Sequence, residues 1–431
     1  MISNIFKPYP KYIPTDVEWL GEIPENWKTT KVVELMKLGR GRVISQEDIR
    51  NNEGEFPVYS SQTENEGILG YIETYDFEGE YITWTTDGAN TGTVFSRSGK
   101  FNCTNVCGTM TQKYNIYKEI TYLPFLAKFL NIASKRYVRY DLNPKLMNNE
   151  MSRIELLLPP LPEQQAIVAF LDCETERINT IIAKQNQLIE LLKEKRTALI
   201  IQAVTKGLNR TAKMKSSSVD WIGDIPNGWD FYKVMWVFNN IGSGNTPTSS
   251  DARYYDENGF SWVLTGDLND NSVQKTTKHI TQKAIEDNPS LKKFPIGSLI
   301  IAMYGATIGK LGLLSIEAYT NQACCVLTNS NFLLTKFAYY WFLGLRKHII
   351  NLSDGGGQPN ISQKVIKQIQ ICVPPLTEQK SIIDYLDRET EKIDALITKI
   401  EKQINLLKEY KLSLISHAVT GKFDVRGEGY A

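Results

Sequence analysis

The sequence predicts an α+β protein: two sheet-rich domains joined by two long antiparallel, coiled-coil-like helices, duplicated internally in a pseudo-twofold arrangement. Three observations lead there. A stretch of 50 residues occurs twice, at 159–208 and 374–423, and 24 of those positions are identical without a gap. A shorter motif, W-[LI]-G-[ED]-I-P with a second Trp three residues after the proline, also occurs twice, at 19–27 and 221–229. Between motif and stretch, each half is rich in β-branched and aromatic residues punctuated by Gly, Asn, Asp and Ser.

Length and composition bound the reading. A chain of 431 residues has room for roughly two to four domains. Apolar residues at 42% and charged residues at 23% are the proportions of a folded globular protein. A net charge of +1 makes no general case for a polyanionic partner. The six cysteines form no disulfide framework. The opening MISNIFKPYPKY has prolines where a signal peptide needs an apolar core. The longest apolar run, 337–345, is too short to span a bilayer. A cytoplasmic protein without a membrane segment is expected.

Each half opens on the tryptophan motif, read as a clip: Gly and Pro fix a turn, and the two tryptophans anchor it to the fold. Short strands are expected at 81–85, 94–96, 114–117, 261–264, 298–303 and 323–327. Helix-like stretches follow at 122–140 and 335–351, then last strands at 154–158 and 369–373 that run into Pro-Pro. These two regions align poorly with each other, so the frame reads as duplicated and its contents as diverged. The domains are 1–158, a helical spacer at 159–208, a polar linker at 209–218, a second domain at 219–373, and a helical spacer with tail at 374–431.

The repeated stretch carries apolar residues at spacings of three and four. They are Ile178, Ile182, Ile189, Leu192, Leu199 and Ala203 in the first copy, interrupted at Gln185 and Arg196. In the second they are Ile393, Ile397, Ile400, Ile404, Leu407, Leu414 and Ala418, interrupted at Lys411. Such a seam needs a facing helix, and the other copy is the nearest one available. Helices of roughly 40 residues would be about 60 Å long.

No catalytic constellation emerges. The three histidines, His279, His348 and His417, lie far apart. Cys103, Cys107, Cys324 and Cys325 read as small buried hydrophobes rather than metal ligands. Residues 305–311, GATIGKL, have three residues between the glycines where a phosphate loop has four, and Leu where it has Ser or Thr. There is no dinucleotide fingerprint and no Asn/Asp-Pro-Pro-aromatic motif of an amino-methyltransferase. The chain reads as a non-catalytic protein that binds no cofactor of its own.

The clip, the variable sheet-rich region, PPLxEQ and a heptad helix ending in AVT, all present twice, with GKFDVRG after the second helix, resemble the specificity subunit of type I restriction-modification systems. The likeness covers nearly the whole chain. It implies that each variable region is a target recognition domain for one half of a split duplex DNA sequence. It also implies that the paired helices set the gap between half-sites and dock two modification subunits. S-adenosylmethionine, ATP and Mg²⁺ are then implied for the modification and restriction subunits, not for this chain. Divergence of the two regions implies an asymmetric target.

Charge supports DNA binding only locally. Residues 28–157 hold 16 basic and 16 acidic residues, and 230–372 hold 13 and 10. Phosphate contacts dominate DNA affinity, so the charges must be segregated or partners must supply more. Asn and Gln suit adenine, Arg and Lys guanine. Candidates in the first region are Tyr59, Ser60, Ser61, Gln62 and Asn65, then Thr86, Asn90 and Thr91, with a basic run of Lys135, Arg136, Arg139 and Lys145. In the second they are Asn245, Thr246 and Thr248, then Lys275, then Tyr304, Thr307 and Lys310, and finally Gly356, Gln358 and Asn360. A solvated face is the bland alternative for each. The rival function is a two-armed coiled-coil scaffold whose sheet domains bind protein instead of DNA.

Overall fold

Pro159-Pro160 and Pro374-Pro375 each end a strand and open a helix, because proline cannot continue a sheet ladder but is tolerated in a first helical turn. In the computed structural model, which describes residues 6–140, 142–352 and 360–426, these helices run Leu161–Lys206 and Leu376–Val419. Their 46 and 44 residues correspond to about 69 and 66 Å. They exceed the length read from the heptads because the PPLxEQ turn belongs to the helix. Each stops at a glycine in the left-handed region, Gly207 (φ 72°) and Gly421 (φ 68°).

The chain divides into two units, residues 1–185 with 402–431, and residues 186–401, so each unit holds one end of each helix. In the first unit Lys411 Nζ donates to Asn179 Oδ1 at 2.8 Å and Gln185 Nε2 to Gln403 Oε1 at 3.4 Å, an antiparallel pairing. In the second unit Arg196 pairs with Asp394 at 3.1 Å. Arg196 and Lys411 are equivalent positions of the duplicated stretch, as are Asp394 and Asn179, so the same polar contact is made in each unit. The residues that interrupt the apolar seam are therefore cross-helix partners. Of the seam itself, Ile178, Ile189, Leu192, Ile393, Ile400, Ile404 and Leu414 are buried, while Ile182, Leu199, Ile397 and Leu407 are half-buried.

In the first unit an antiparallel sheet has the order Met36–Arg40, Cys107–Gln112, Tyr81–Thr85, Val94–Arg97. A second sheet contains Glu53–Tyr59 parallel to Lys100–Cys103. Helix Leu123–Ala133 covers the first sheet with Phe125 and Phe129, closing a core around Trp84. The opening strand Lys28–Lys31 pairs with the last, Glu155–Leu158. In the second unit the sheet order Asn240–Ser243, Cys324–Thr328, Leu299–Ala302, Leu311–Leu314 repeats that pattern, with Asn271–Val273 added at the edge. Helix Thr335–Gly344 packs Phe337 and Trp341 into its core, and Asp230–Lys233 pairs with Gln370–Val373. The two variable regions thus share a topology that their sequences conceal.

Four expectations change. The stretch 122–140 is helix only over Leu123–Ala133 and continues as a 3-10 turn, Ser134–Arg136, and a short strand, Arg139–Tyr140. Residues 114–117 are not a strand: Tyr114 leads into the 3-10 turn Asn115–Glu119, with Tyr114 and Ile116 exposed. The stretch 335–351 is two helices, Thr335–Gly344 and Arg346–Asn351. Part of the presumed linker is strand Met214–Ser216, which pairs with Asp224–Pro226 as Tyr12–Pro14 pairs with Glu22–Pro24. All three of its residues are exposed, so it shows no apolar alternation.

The PPLxEQ motif is a tie. Gln164, fully buried, accepts from Tyr122 N–H at 2.8 Å and donates to the carbonyls of Ile120 and Pro159, both at 2.8 Å. Gln379 makes the same set in the second unit, to Leu334 N–H, Phe332 O and Pro374 O, each at 2.7 Å. The preceding glutamates take the clip tryptophans: Trp27 Nε1 donates to Glu163 and Trp229 Nε1 to Glu378, both at 2.9 Å. Removing either indole N–H deletes one hydrogen bond to a carboxylate, while Glu163 keeps Tyr9 O–H at 2.7 Å and Asn26 at 3.0 Å as donors. Trp27→Phe and Trp229→Phe should each lower stability by about 1–2 kcal/mol, checked by urea unfolding.

A lysine at the end of the first helix, or just past the second, also holds each clip. Lys206 Nζ donates to Ile222 O at 3.2 Å and also to Asp224 O. Lys422 Nζ donates to Leu20 O at 2.7 Å and Glu22 O at 2.8 Å. The C-terminal tail therefore holds the N-terminal clip, about as far apart in sequence as the chain allows. Phe423 stacks on Phe6 at 4.4 Å, and Asp424 N–H donates to Lys7 O at 2.8 Å.

Candidate nucleic-acid interface

In the first unit the structure brings most of the candidate residues together. Asn90 Nδ2 donates to Ser61 O at 3.0 Å, joining the two polar loops. Lys135 Nζ donates to Thr91 O at 2.8 Å, and partial burial lowers its pKa. Asp87 forms a β-bridge with Lys145. Ser60, Ser61 and Gln62 are half-buried and Asn65 is exposed. Gln62 donates to Ile68 O, and Asn65 takes a left-handed conformation (φ 47°).

Two candidates of this unit face inward. The Thr91 hydroxyl binds the carbonyls of Gly88 at 2.6 Å and Pro144 at 2.9 Å. Thr86 is buried, its hydroxyl without a hydrogen-bond partner. Both shape the loop, and neither side chain is presented to solvent. Arg136 covers the Trp19 ring at 4.6 Å, and Arg139 pairs with Glu150 at 3.0 Å. Those two arginines serve the fold as much as any ligand.

Sequence reasoning missed Arg97. Its guanidinium is buried between the rings of Tyr59 (3.6 Å) and Phe95 (4.3 Å). It donates to Glu66 O at 2.5 Å and Thr83 Oγ1 at 3.3 Å. Arg97 thus holds loop 60–67 from beneath, and Tyr59 is part of that support. Nothing local in the sequence separates this arginine from a surface one.

In the second unit Asn245 Nδ2 donates to Ser290 Oγ at 2.8 Å and Thr246 Oγ1 to Gln322. Thr248 is exposed. Beside this loop is a cleft of about 550 Å³ lined by Tyr255, Trp262, Lys278 and His279, which the sequence did not announce. Tyr304, Thr307 and Lys310 lie on the turn between strands Leu299–Ala302 and Leu311–Leu314, and Tyr304 forms a β-bridge with Asn360. That turn is a hairpin tip, not a phosphate loop. Lys275 stands apart, on a polar cleft with Asp267 and Thr277. Gly356 and Gln358 lie outside the described residues.

The two units therefore present polar loops at corresponding ends of the same sheet, with different side chains on them. Residues 24–191 and 226–406 each match the family of type I restriction modification DNA specificity domains. The chain belongs to that family. As a type I specificity subunit it carries two such domains, in line with its duplicated sequence. The N-terminus of a type I specificity subunit of Mycoplasma pneumoniae, assigned as such provisionally, is 45% identical over 146 residues, 34% of this chain and 76% of that one. The MpnII specificity subunit of the same organism is 41% identical over 193 residues, and the match spans about half of it (53%) and 44% of this chain. The MjaVIII specificity subunit of Methanocaldococcus jannaschii is 25% identical over 423 residues, 94% of each chain. Among solved structures, the HsdS subunit of Thermoanaerobacter tengcongensis has a TM-score of 0.54 at 16% identity, covering 93% of this chain and 98% of that one. A chain from a type I system solved to explain complex assembly and conformational transition has a TM-score of 0.71 at 16% identity, covering 92% and 98%. Among the described residues no helix is long and apolar enough to cross a membrane.

Proposed function

We propose that this specificity subunit is the non-catalytic DNA-reading member of a type I complex, each recognition domain taking one half of a split, asymmetric duplex target. The observation that carries this reading is two units of one topology that bear different polar loops at the same end of the sheet. Modules of one shape with unlike contact residues suit two unlike half-sites. Methylation of adenine, with S-adenosylmethionine, belongs in this reading to two modification subunits. ATP-driven cleavage with Mg²⁺ belongs to restriction subunits, and this chain binds no cofactor itself.

The helices give such partners a surface. Ile181, Leu188 and Leu191 on the first, and Leu396, Leu406 and Leu412 on the second, are exposed apolar residues on otherwise charged helices. Such side chains suit docking against partner helices. The same helices set the gap between half-sites in this reading. Inserting one helical turn, about four residues, into each helix should change the preferred gap and leave both half-sites as they were. Selection from duplex DNA with randomised gaps checks it, and altered half-sites at an unchanged gap would count against it.

The reading itself is tested with the chain assembled with its modification subunits. Competition between specific and random duplexes across a salt series should show tight, sequence-dependent binding with a steep salt slope. Equal affinity for every duplex would remove it.

A further inference from the structure

Six backbone hydrogen bonds shape the turn after strand Tyr81–Thr85, and each has a counterpart in the turn after Leu299–Ala302. Thr85 N–H to Thr93 O (3.0 Å) matches Ala302 to Lys310 (2.9 Å), and Gly92 to Thr85 (2.9 Å) matches Gly309 to Ala302 (2.8 Å). Thr91 to Gly88 matches Ile308 to Gly305, both 3.1 Å. Thr93 to Asn90 (3.0 Å) matches Lys310 to Thr307 (2.9 Å). Thr86 to Val106 matches Met303 to Ala323, both 2.9 Å. Leu146 to Thr86 (2.9 Å) matches Ile361 to Met303 (2.8 Å), tying each tip to the segment before a short helix, Asn148–Ser152 or Gln363–Gln368.

Glycines stand at both ends of each turn, all with positive φ: Gly88 (93°), Gly92 (77°), Gly305 (77°) and Gly309 (73°). A Cβ on Gly92 would meet Ser134 Oγ at 3.1 Å and one on Gly309 would meet Arg346 Cγ at 3.1 Å. These two are packed in. A Cβ on Gly88 or Gly305 would meet nothing within 4 Å, so the outer glycine leaves one peptide face bare to solvent. The next residue, Ala89 or Ala306, is exposed in both.

One backbone thus occurs twice, and the side chains at its equivalent open positions differ: half-buried Asp87 and Asn90 in the first unit, exposed Tyr304 and half-buried Thr307 in the second. Two modules performing one task on different sequences need that combination of constant frame and variable tip. The cations suited to flanking phosphates lie alongside, Lys135 and Lys145 in the first unit and Lys310 in the second. Building on the DNA-reading role proposed above, we infer that positions 87 and 90, and 304 and 307, are base-reading positions of the two recognition domains. Asn90 spends one of its two amide N–H groups on Ser61 O, leaving one donor and its carbonyl oxygen, and Asp87 presents acceptors; together they suit the exocyclic amino group of cytosine or adenine in the major groove. Tyr304 and Thr307 present hydroxyls and a methyl, and suit a different base.

The test exchanges the tips. One chain carries Asp87→Tyr with Asn90→Thr, another carries Tyr304→Asp with Thr307→Asn, and a third carries the isosteric Thr307→Val as the variant least able to disturb folding. Each is assembled with its modification subunits on a pool of randomised duplex DNA, and the methylated products are sequenced. Base preference should shift about tenfold or more at one or two positions of the matching half-site, with the other half-site and the gap unchanged. Unchanged bases in both half-sites, whether methylation persists or falls, would overturn the inference and leave the DNA-reading role standing. A wild-type complex that selects no sequence would overturn both.

Discussion

Gln164→Ala should be among the most destabilising single changes in the first unit, and Gln379→Ala in the second. Each removes an amide that satisfies one backbone N–H and two carbonyls in a site closed to solvent. A buried polar group left without a partner costs about 1–3 kcal/mol. Three such groups, partly relieved by a water entering the space of the lost side chain, give a loss of about 4 kcal/mol. For a unit of this size that lowers the melting temperature by about 10 °C. Hydrogen exchange locates the effect: Gln164→Ala should accelerate exchange at Tyr122 and along helix Leu123–Ala133, and Gln379→Ala at Leu334 and along Thr335–Gly344. Loss confined to the substituted unit is the expected pattern. A change below about 1 kcal/mol, the net worth of a single ordinary hydrogen bond, would mean that the glutamine is not the tie described.

Phe423→Ala should destabilise the first unit by about 3–5 kcal/mol, the range for emptying a buried aromatic site. Phe423 is 1% exposed, stacked on Phe6 and 5.9 Å edge-on from Phe170. The consequence reaches across the sequence, because the residues left uncovered belong to the N-terminal segment and to the start of the central helix. Exchange should rise at Asp424, whose N–H is held by Lys7 O, and around the clip of residues 12–24. Spared amides there, with only the tail itself loosened, would show that the tail is an appendage rather than part of the first core.

The duplicated helices and the clip were legible in the sequence because each rests on a repeated pattern with a fixed period or a fixed spacing. The seam interruptions at Gln185, Arg196 and Lys411 were visible as breaks, but their meaning was not. Only the antiparallel pairing shows that Lys411 meets Asn179 and Arg196 meets Asp394. The common topology of the variable regions was hidden, because a sheet is specified by which faces are buried and not by residue identity. Gly-Ala-x-x-Gly at 88–92 and 305–309 is the available signal; each copy reads singly as a polar candidate loop, the second also as an imperfect phosphate loop, and the match between them goes unused. Arg97 and the inward-facing Thr86 and Thr91 were beyond reach. Burial of a polar side chain depends on strands distant in sequence, and polar loop residues look alike until their partners are placed.

The central claim, that this chain supplies DNA sequence specificity through two unlike recognition domains, is tested most directly by the methylation pattern it imposes. Genomic DNA from cells carrying the chain with its modification subunit is compared with DNA from cells lacking only the chain. A split, asymmetric motif methylated on adenine in the first and absent from the second is the predicted result. An identical pattern in both, in cells whose modification subunit is demonstrably active, would contradict it and turn attention to a scaffold that binds protein.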